Sequence, residues 1–323
     1  MLVGGFILAD NYIVSSSPHV RSDKTVDKIM RDVVIALMPA TLFGIYHFGT
    51  RALIIVLLCV ISCVGFEALY QKLTKRKVTV SDYSAVITGI LLALNLPHTV
   101  PYWLPVLGSL VAIIIVKQLF GGLGQNFMNP ALGARAFLLI SFTGLMTNWG
   151  VDVDGITTAT PLGILKEGAA GTLPSLTDTF LGYIGGCIGE TSAIALLIGG
   201  VYLLVRKIIN WRIPVIYIGT VFILSLLIGD NAFDINYATY QILSGGLMIG
   251  AIFMATDYSS SPMTKKGQVI MGLGCGILTA VIRLYGNYPE GVSFAIIIMN
   301  LFVPLIDRFT IPKAFGEVAN NEK

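Results

Sequence analysis

Ten apolar runs, separated by short polar breaks, follow one another through this chain, and no other feature limits its fold as tightly. They fall at about 32–49, 52–70, 82–97, 103–120, 130–148, 180–205, 212–229, 239–256, 267–285 and 291–307. Roughly 20 apolar residues as a helix match the hydrocarbon core of a bilayer. In that core each backbone polar group needs a partner inside the protein, so the runs read as helices. Composition agrees: 55% of residues are hydrophobic, only 12% are charged, and the mean hydropathy is +0.80. The charged share is about half that of a soluble domain. The predicted fold is therefore all-α, a polytopic membrane protein of about ten transmembrane helices. The third run stops at Pro97 and the fourth has Pro105 in its first turn, which marks helices that end or break in a protein-lined region.

Basic residues alternate from one side to the other. Arg21, Lys24, Lys28 and Arg31 precede the first run, Lys72, Lys75, Arg76 and Lys77 follow the second, and Lys117 closes the fourth. Arg206, Lys207 and Arg212 flank the break after the sixth, Lys265 and Lys266 follow the eighth, and Arg308, Lys313 and Lys323 follow the tenth. The opposite loops hold only Arg51 and Lys166. The positive-inside rule then predicts cytoplasmic termini and an outward-facing loop after the fifth run. The chain divides into a cytoplasmic lead (1–31), a first five-helix repeat (32–148), an extracytoplasmic loop (149–179), a second five-helix repeat (180–307) and a cytoplasmic tail (308–323). Five crossings on each side of one loop give two halves of opposite orientation, an inverted repeat. Leu119-Phe120-Gly121 and Leu284-Tyr285-Gly286 are parallel fragments of it.

Several function classes drop out. The net charge of +3 follows membrane side and forms no basic patch interleaved with aromatics, so no nucleic-acid partner is expected. Cys59, Cys63, Cys187 and Cys275 lie in apolar runs without metal-ligand spacing, and no metal is expected. No cleavable leader is expected, since the N-terminus lacks a basic flank before an apolar run. No Gly-x-Gly-x-x-Gly unit for a dinucleotide is present.

Two sets of residues remain as candidates. The outward loop reads Asp154-Gly155-Ile156-Thr157-Thr158-Ala159-Thr160-Pro161-Leu162, with three hydroxyls in four residues. Such clusters are most often ordinary loops. A hydroxyl can also carry a phosphate ester, and Pro161 biases Thr160 toward an extended backbone that a modifying enzyme could grasp. A phosphodiester there would need backbone N–H groups or a cation nearby, and Lys166 is the loop's basic residue. The second set is ionisable residues inside the runs, where an unpaired charge costs several kcal/mol. Glu67 and Arg283, near run ends, read as structural ion pairs or snorkelling side chains. Arg135 and Glu190 lie deeper, and Glu190 is a candidate for an ion or proton path.

The loop resembles the flavin-attachment motif Asp-x-x-Ser/Thr-Gly-Ala-Thr of the membrane flavoprotein subunits of Rnf and sodium-pumping NADH:quinone oxidoreductase complexes. Asp154, Thr157, Ala159 and Thr160 match, and Thr158 replaces the glycine. Further segments resemble the same family in order: Pro18-His19, Asn129-Pro130-Ala131-Leu132, Ala134-Arg135-Ala136-Phe137, Phe253-Met254-Ala255-Thr256-Asp257, Tyr288-Pro289-Glu290-Gly291-Val292 and Asn300-Leu301-Phe302-Val303-Pro304. The resemblance implies a fold similar to ammonium and urea channels, with FMN esterified to Thr160 by a dedicated flavin transferase. It also implies a second, non-covalent riboflavin toward the cytoplasmic side, with Asn129, Arg135 and Asp257 as polar neighbours. The implied function is electron transfer in a ferredoxin:NAD+ oxidoreductase of the bacterial cytoplasmic membrane, coupled to Na+ or H+ translocation. Sister subunits A, B, C, E and G of the complex would bind the nucleotide and ferredoxin, and this chain alone would have no complete activity. The alternative, from the inverted repeat by itself, is a channel or transporter for a small polar solute.

Overall fold

A computed structural model describes residues 7–8, 12–13, 25–149, 160–167, 173–229, 233–286 and 290–312. A short antiparallel pair, β1 (Ile7–Leu8) and β2 (Tyr12–Ile13), precedes the helices. The first half contains α1 (Val26–Phe48), α2 (Thr50–Leu73), α3 (Ser84–Leu94), α4 (Trp103–Leu110), α5 (Pro130–Ser141) and the single turn α6 (Thr143–Met146). α4 runs on without interruption as a π-helical stretch, Val111–Gln118. Between the halves lies α7 (Pro161–Glu167). The second half contains α8 (Leu176–Leu181), α9 (Ala193–Val205), α10 (Arg212–Ile228), α11 (Ile235–Leu243), α12 (Leu247–Ile249), α13 (Lys265–Tyr285) and α14 (Val292–Thr310). α12 also continues as a π stretch, Gly250–Met254.

The chain is an all-helical polytopic membrane protein, but its apolar runs are not ten equal helices. Only α1, α2, α13 and α14 among the described residues are long and apolar enough to cross a membrane alone, and α11 with α12 forms a fifth such unit bent by 64°. Five shorter apolar helices make up the rest. The first run starts earlier than expected, at Val26, because Asp27, Lys28, Arg31 and Asp32 occupy turns of the same helix. The fifth run ends as a regular helix at Ser141, and the sixth enters as non-helical chain before α9.

Local chemistry sets these boundaries. Gly49, at φ 73°, ends α1 and lets α2 start one residue later. Asn129 caps α5, its Oδ1 accepting from the Ala131 and Leu132 N–H groups, with Pro130 in the first turn where no N–H is needed. Ser192 and Thr264 cap α9 and α13 in the same way.

The halves are joined at mid-depth by backbone. α3 stops at Asn95, and the chain beyond it pairs with the segment before α9: Ile188 N–H donates to Leu96 O at 3.0 Å and Gly189 N–H to Leu94 O at 2.8 Å. These two bonds satisfy groups that a broken helix would otherwise leave bare in an apolar medium. Small residues allow close helix contact. A Cβ on Gly199 of α9 would run into the Ala36 carbonyl of α1, and one on Gly276 of α13 would lie 2.5 Å from Thr220 of α10. Many large apolar side chains, among them Leu57, Ile61, Ile198, Val201 and Ile223, are exposed on the helices, as expected of a lipid-facing surface.

Candidate functional site

Three chain breaks and the start of a fourth helix meet at the centre of the bundle. They are the end of α3 at Asn95, the segment Cys187–Ser192 before α9, the Ser244-Gly245-Gly246 break between α11 and α12, and the start of α14 after Glu290. Arg135, on α5, sits among them. Its Nη1 donates to Glu190 Oε1 at 2.7 Å and to Asn95 Oδ1; its Nη2 donates to Glu290 Oε2 and lies 3.7 Å from Cys187 Sγ. The Arg135 and Glu190 side chains are 5% and 2% exposed, so the guanidinium is neutralised almost wholly by protein groups. Burying such charges is tolerable only when they are paired, and Arg135 is paired with both glutamates and bonded to Asn95 as well.

Arg283 lies nearby on α13. It neither snorkels nor forms a salt bridge among the described residues; it is buried and donates to the carbonyls of Gln241 and Ser244 at the end of α11. Those are carbonyls that a helix C-terminus leaves without partners. Glu67 follows the structural reading. With the side chains 2% and 1% exposed, Lys117 Nζ and Glu67 Oε2 are 2.7 Å apart, and Gln118 and Ser84 complete the set.

Thr160 stands at the N-terminus of α7, next to this centre. Its Oγ1 accepts from Gly163 N–H at 3.1 Å, and the residue is 7% exposed. The following Leu162 lies so close to the α11–α12 break that a Cβ on Gly245 would fall 2.7 Å from it. Lys166 reaches away, to the Ile282 and Gly286 carbonyls at the end of α13. Asp154, Thr157 and Ala159 lie outside the described residues.

At the opposite end of the bundle, where the basic loops gather, a cavity opens between α1, α3, α5, α9 and the chain after α12. Its wall includes Ser84, Asn126, Asn129, Phe253 and Asp257, together with Lys117. Asn129 and Asp257 both line this cavity. Asp257 accepts from the Ser259 and Ser260 hydroxyls at 3.0 Å each. Tyr258, an exposed residue, closes one edge by donating its phenol to the Ile208 carbonyl, and desolvation of that hydroxyl pushes it above the ordinary value. Arg135 is not in this wall: six residues along α5 from Asn129, it lies about 9 Å deeper.

Sequence reasoning passed over Asn95 and gave Glu290 no role. The signals were present: an asparagine before Leu96-Pro97 in an apolar run, and the Ser244-Gly245-Gly246 interruption, which marks where a helix breaks and side chains converge. Cys187, Glu190 and Glu290 also come together, with one ligand-type atom of each within 4.8 Å of the others. Their sequence spacing gives no hint of that.

Broken helices from two halves around a buried charged centre, with a cavity at one end and the short capped helix α7 at the other, define a membrane protein built to handle charge within the bilayer. The family model described as the NQR2, RnfD, RnfE family matches residues 13–316, and the chain belongs to that family. It is 54% identical, over 95% of its length and 96% of the relative's, to the D subunit of the Na+-translocating ferredoxin:NAD+ oxidoreductase complex of Acetobacterium woodii. It is 46% identical, over 94% of its length and 96% of the relative's, to the D subunit of the proton-translocating ferredoxin:NAD+ oxidoreductase complex of Clostridium ljungdahlii. At 41% identity over 92% of its length and 94% of the relative's, it matches the D subunit of an ion-translocating oxidoreductase complex of Stutzerimonas stutzeri.

Proposed function

We propose that this chain acts as the membrane flavoprotein subunit of an ion-translocating ferredoxin:NAD+ oxidoreductase, passing electrons between partner subunits while Na+ or H+ is exported. The identity to the two ferredoxin:NAD+ oxidoreductase subunits, along nearly the whole of all three chains, carries this reading. The proposed setting is the bacterial cytoplasmic membrane, with the basic loops cytoplasmic and the α7 end outward, as the charge asymmetry favours. Subunits A, B, C, E and G would supply the nucleotide and ferredoxin sites, and a flavin transferase the modification.

The residues fit the implied flavins. A flavin supplies one- and two-electron chemistry when bound. Thr160 offers its hydroxyl oxygen, which as an ester oxygen still has a lone pair for Gly163 N–H, so α7 keeps its cap. Lys166, tied to the end of α13, would steady α7 rather than the phosphate. For a non-covalent riboflavin, the cavity at the basic end joins an apolar wall of Ile87, Leu91 and Phe253 to the polar groups of Ser84, Asn129 and Asp257. That mixture suits a flat ring with a polyhydroxylated tail. Arg135 is better assigned with Glu190 to charge movement at the centre than to the riboflavin.

A pore for a polar solute fits less well. The backbone pairing of Leu94 and Leu96 with Gly189 and Ile188, and the Arg135 clamp, close the middle of the bundle.

The decisive measurement is in-gel fluorescence of the denatured chain, co-expressed with the transferase. The parent should show a flavin band and Thr160→Ala none, while Thr157→Ala keeps it. A flavin mass on a peptide outside this loop would refute the assignment.

A further inference from the structure

Charge at the centre follows one rule. Glu190 lies two residues before the cap of α9 and Glu290 directly before the cap of α14, so each acidic residue stands just ahead of the positive end of a helix. Arg135 bonds the side chain of Asn95, the C-terminal cap of α3, and Arg283 bonds the last carbonyls of α11, so each guanidinium faces a negative end. Fully ionised, the four charges cancel. The other ionisable groups facing them are Cys187 before α9, Tyr237 on α11 and, beyond Arg283, Tyr217 on α10.

The hydrogen bonding of this cluster is nonetheless incomplete. Among the described residues, Glu190 Oε2, Ser244 Oγ and Arg283 Nε have no partner, although Glu190 and Arg283 are each 4% exposed and Ser244 is 0% exposed. A buried acceptor of a charged group loses its water without replacement when it is left unsatisfied, so such an atom in a settled salt bridge is unexpected. The glycines beside Ser244 keep the space clear: a Cβ on Gly246 would fall 2.8 Å from Glu190 Oε1 and 3.3 Å from Arg135 Nη1.

We propose that Glu190 and Glu290 form an exchange site for a small monovalent cation, either hydronium or dehydrated Na+, with Arg135 as the resident counter-charge that yields to it. Both carboxylates contact the same guanidinium, so a cation between them replaces Arg135 rather than joining it. Asn95 Oδ1, already bonded to Nη1, holds the displaced arginine at the end of α3. With the displaced guanidinium still in the cluster, a monovalent cation leaves one excess charge and a divalent ion two, and the smaller excess in an apolar surrounding favours the monovalent class. The proposal rests on the ion-path reading of Glu190 and adds Glu290, Ser244 and the role of Arg135.

The test uses the intact complex in detergent and dicyclohexylcarbodiimide, read by peptide mass spectrometry. A protonated carboxyl adds across one C=N bond of the diimide and the acyl group then migrates to nitrogen, so the adduct is the sum of the two reactants. A static, fully ionised salt bridge has no carboxyl proton to give. Labelling of Glu190 or Glu290 that NaCl suppresses and equal KCl does not identifies a Na+ site; at ten times the dissociation constant the label should fall roughly tenfold. Labelling indifferent to NaCl and slowed by rising pH identifies hydronium. No label on either glutamate at any pH, in a complex that remains assembled, would overturn the proposal. Glu290→Gln should remove the NaCl or pH dependence of the Glu190 label and Glu290→Asp should keep it; unchanged dependence in Glu290→Gln also overturns it. The Thr160 fluorescence band, scored on the same samples, separates failure of this site from failure of the flavin reading.

Discussion

At the scale of single residues, the interior is governed by the cost of charge out of water. Lys117 and Glu67 stabilise each other only as a pair. Lys117→Met alone should cost about 3–5 kcal/mol by leaving the Glu67 carboxylate buried and unpaired, whereas the double variant with Glu67→Leu should recover most of it. Thermal unfolding in detergent, followed by size-exclusion chromatography, reads the difference. Glu190→Gln should slow Na+ or H+ uptake into vesicles more than it lowers flavin content; equal uptake by variant and parent would remove Glu190 from the ion path. Much of this level was legible in the sequence, since Glu67, Arg135, Glu190 and Arg283 stand out in apolar runs. Their partners were not, because Arg135 meets Asn95, Glu190 and Glu290 across separations of 40, 55 and 155 residues that no local pattern encodes.

At the scale of elements, contact between helices depends on missing side chains. Gly199→Ala puts a methyl group into the Ala36 carbonyl, and α1 and α9 must move apart. A loss of about 1–3 kcal/mol is expected from such overpacking, seen as a lower melting temperature. Gly65→Ala, at a helix position with nothing within 4 Å, should cost nothing and gain up to about 1 kcal/mol from helix propensity by the same measurement. The ten apolar units were readable from hydropathy because lipid imposes a minimum of apolar sequence on whatever crosses it. Hydropathy averages along the chain, however, and cannot separate a straight helix from two halves meeting at 64°. Hence Asn95 and Ser244-Gly245-Gly246, the breaks that build the centre, were submerged in the third and eighth runs.

At the scale of the molecule, the two ends differ in charge and in furnishing, with a cavity at the basic end and α7, headed by Thr160, at the other. An epitope inserted beside Thr160 should be reached by antibody only from outside the cell, and a C-terminal green fluorescent protein should fluoresce; the reverse pattern would invert the proposed orientation. The pairing of Leu94 and Leu96 with Gly189 and Ile188 also bears on how the protein is made. At about 16 Å, α3 is half the length needed to cross the bilayer, and its partner strand is synthesised some ninety residues later. The ribosome must therefore deliver much of the second half before the first can settle, and a nascent chain arrested near α7 should stay beside the translocon, open to proteases, until its complement arrives.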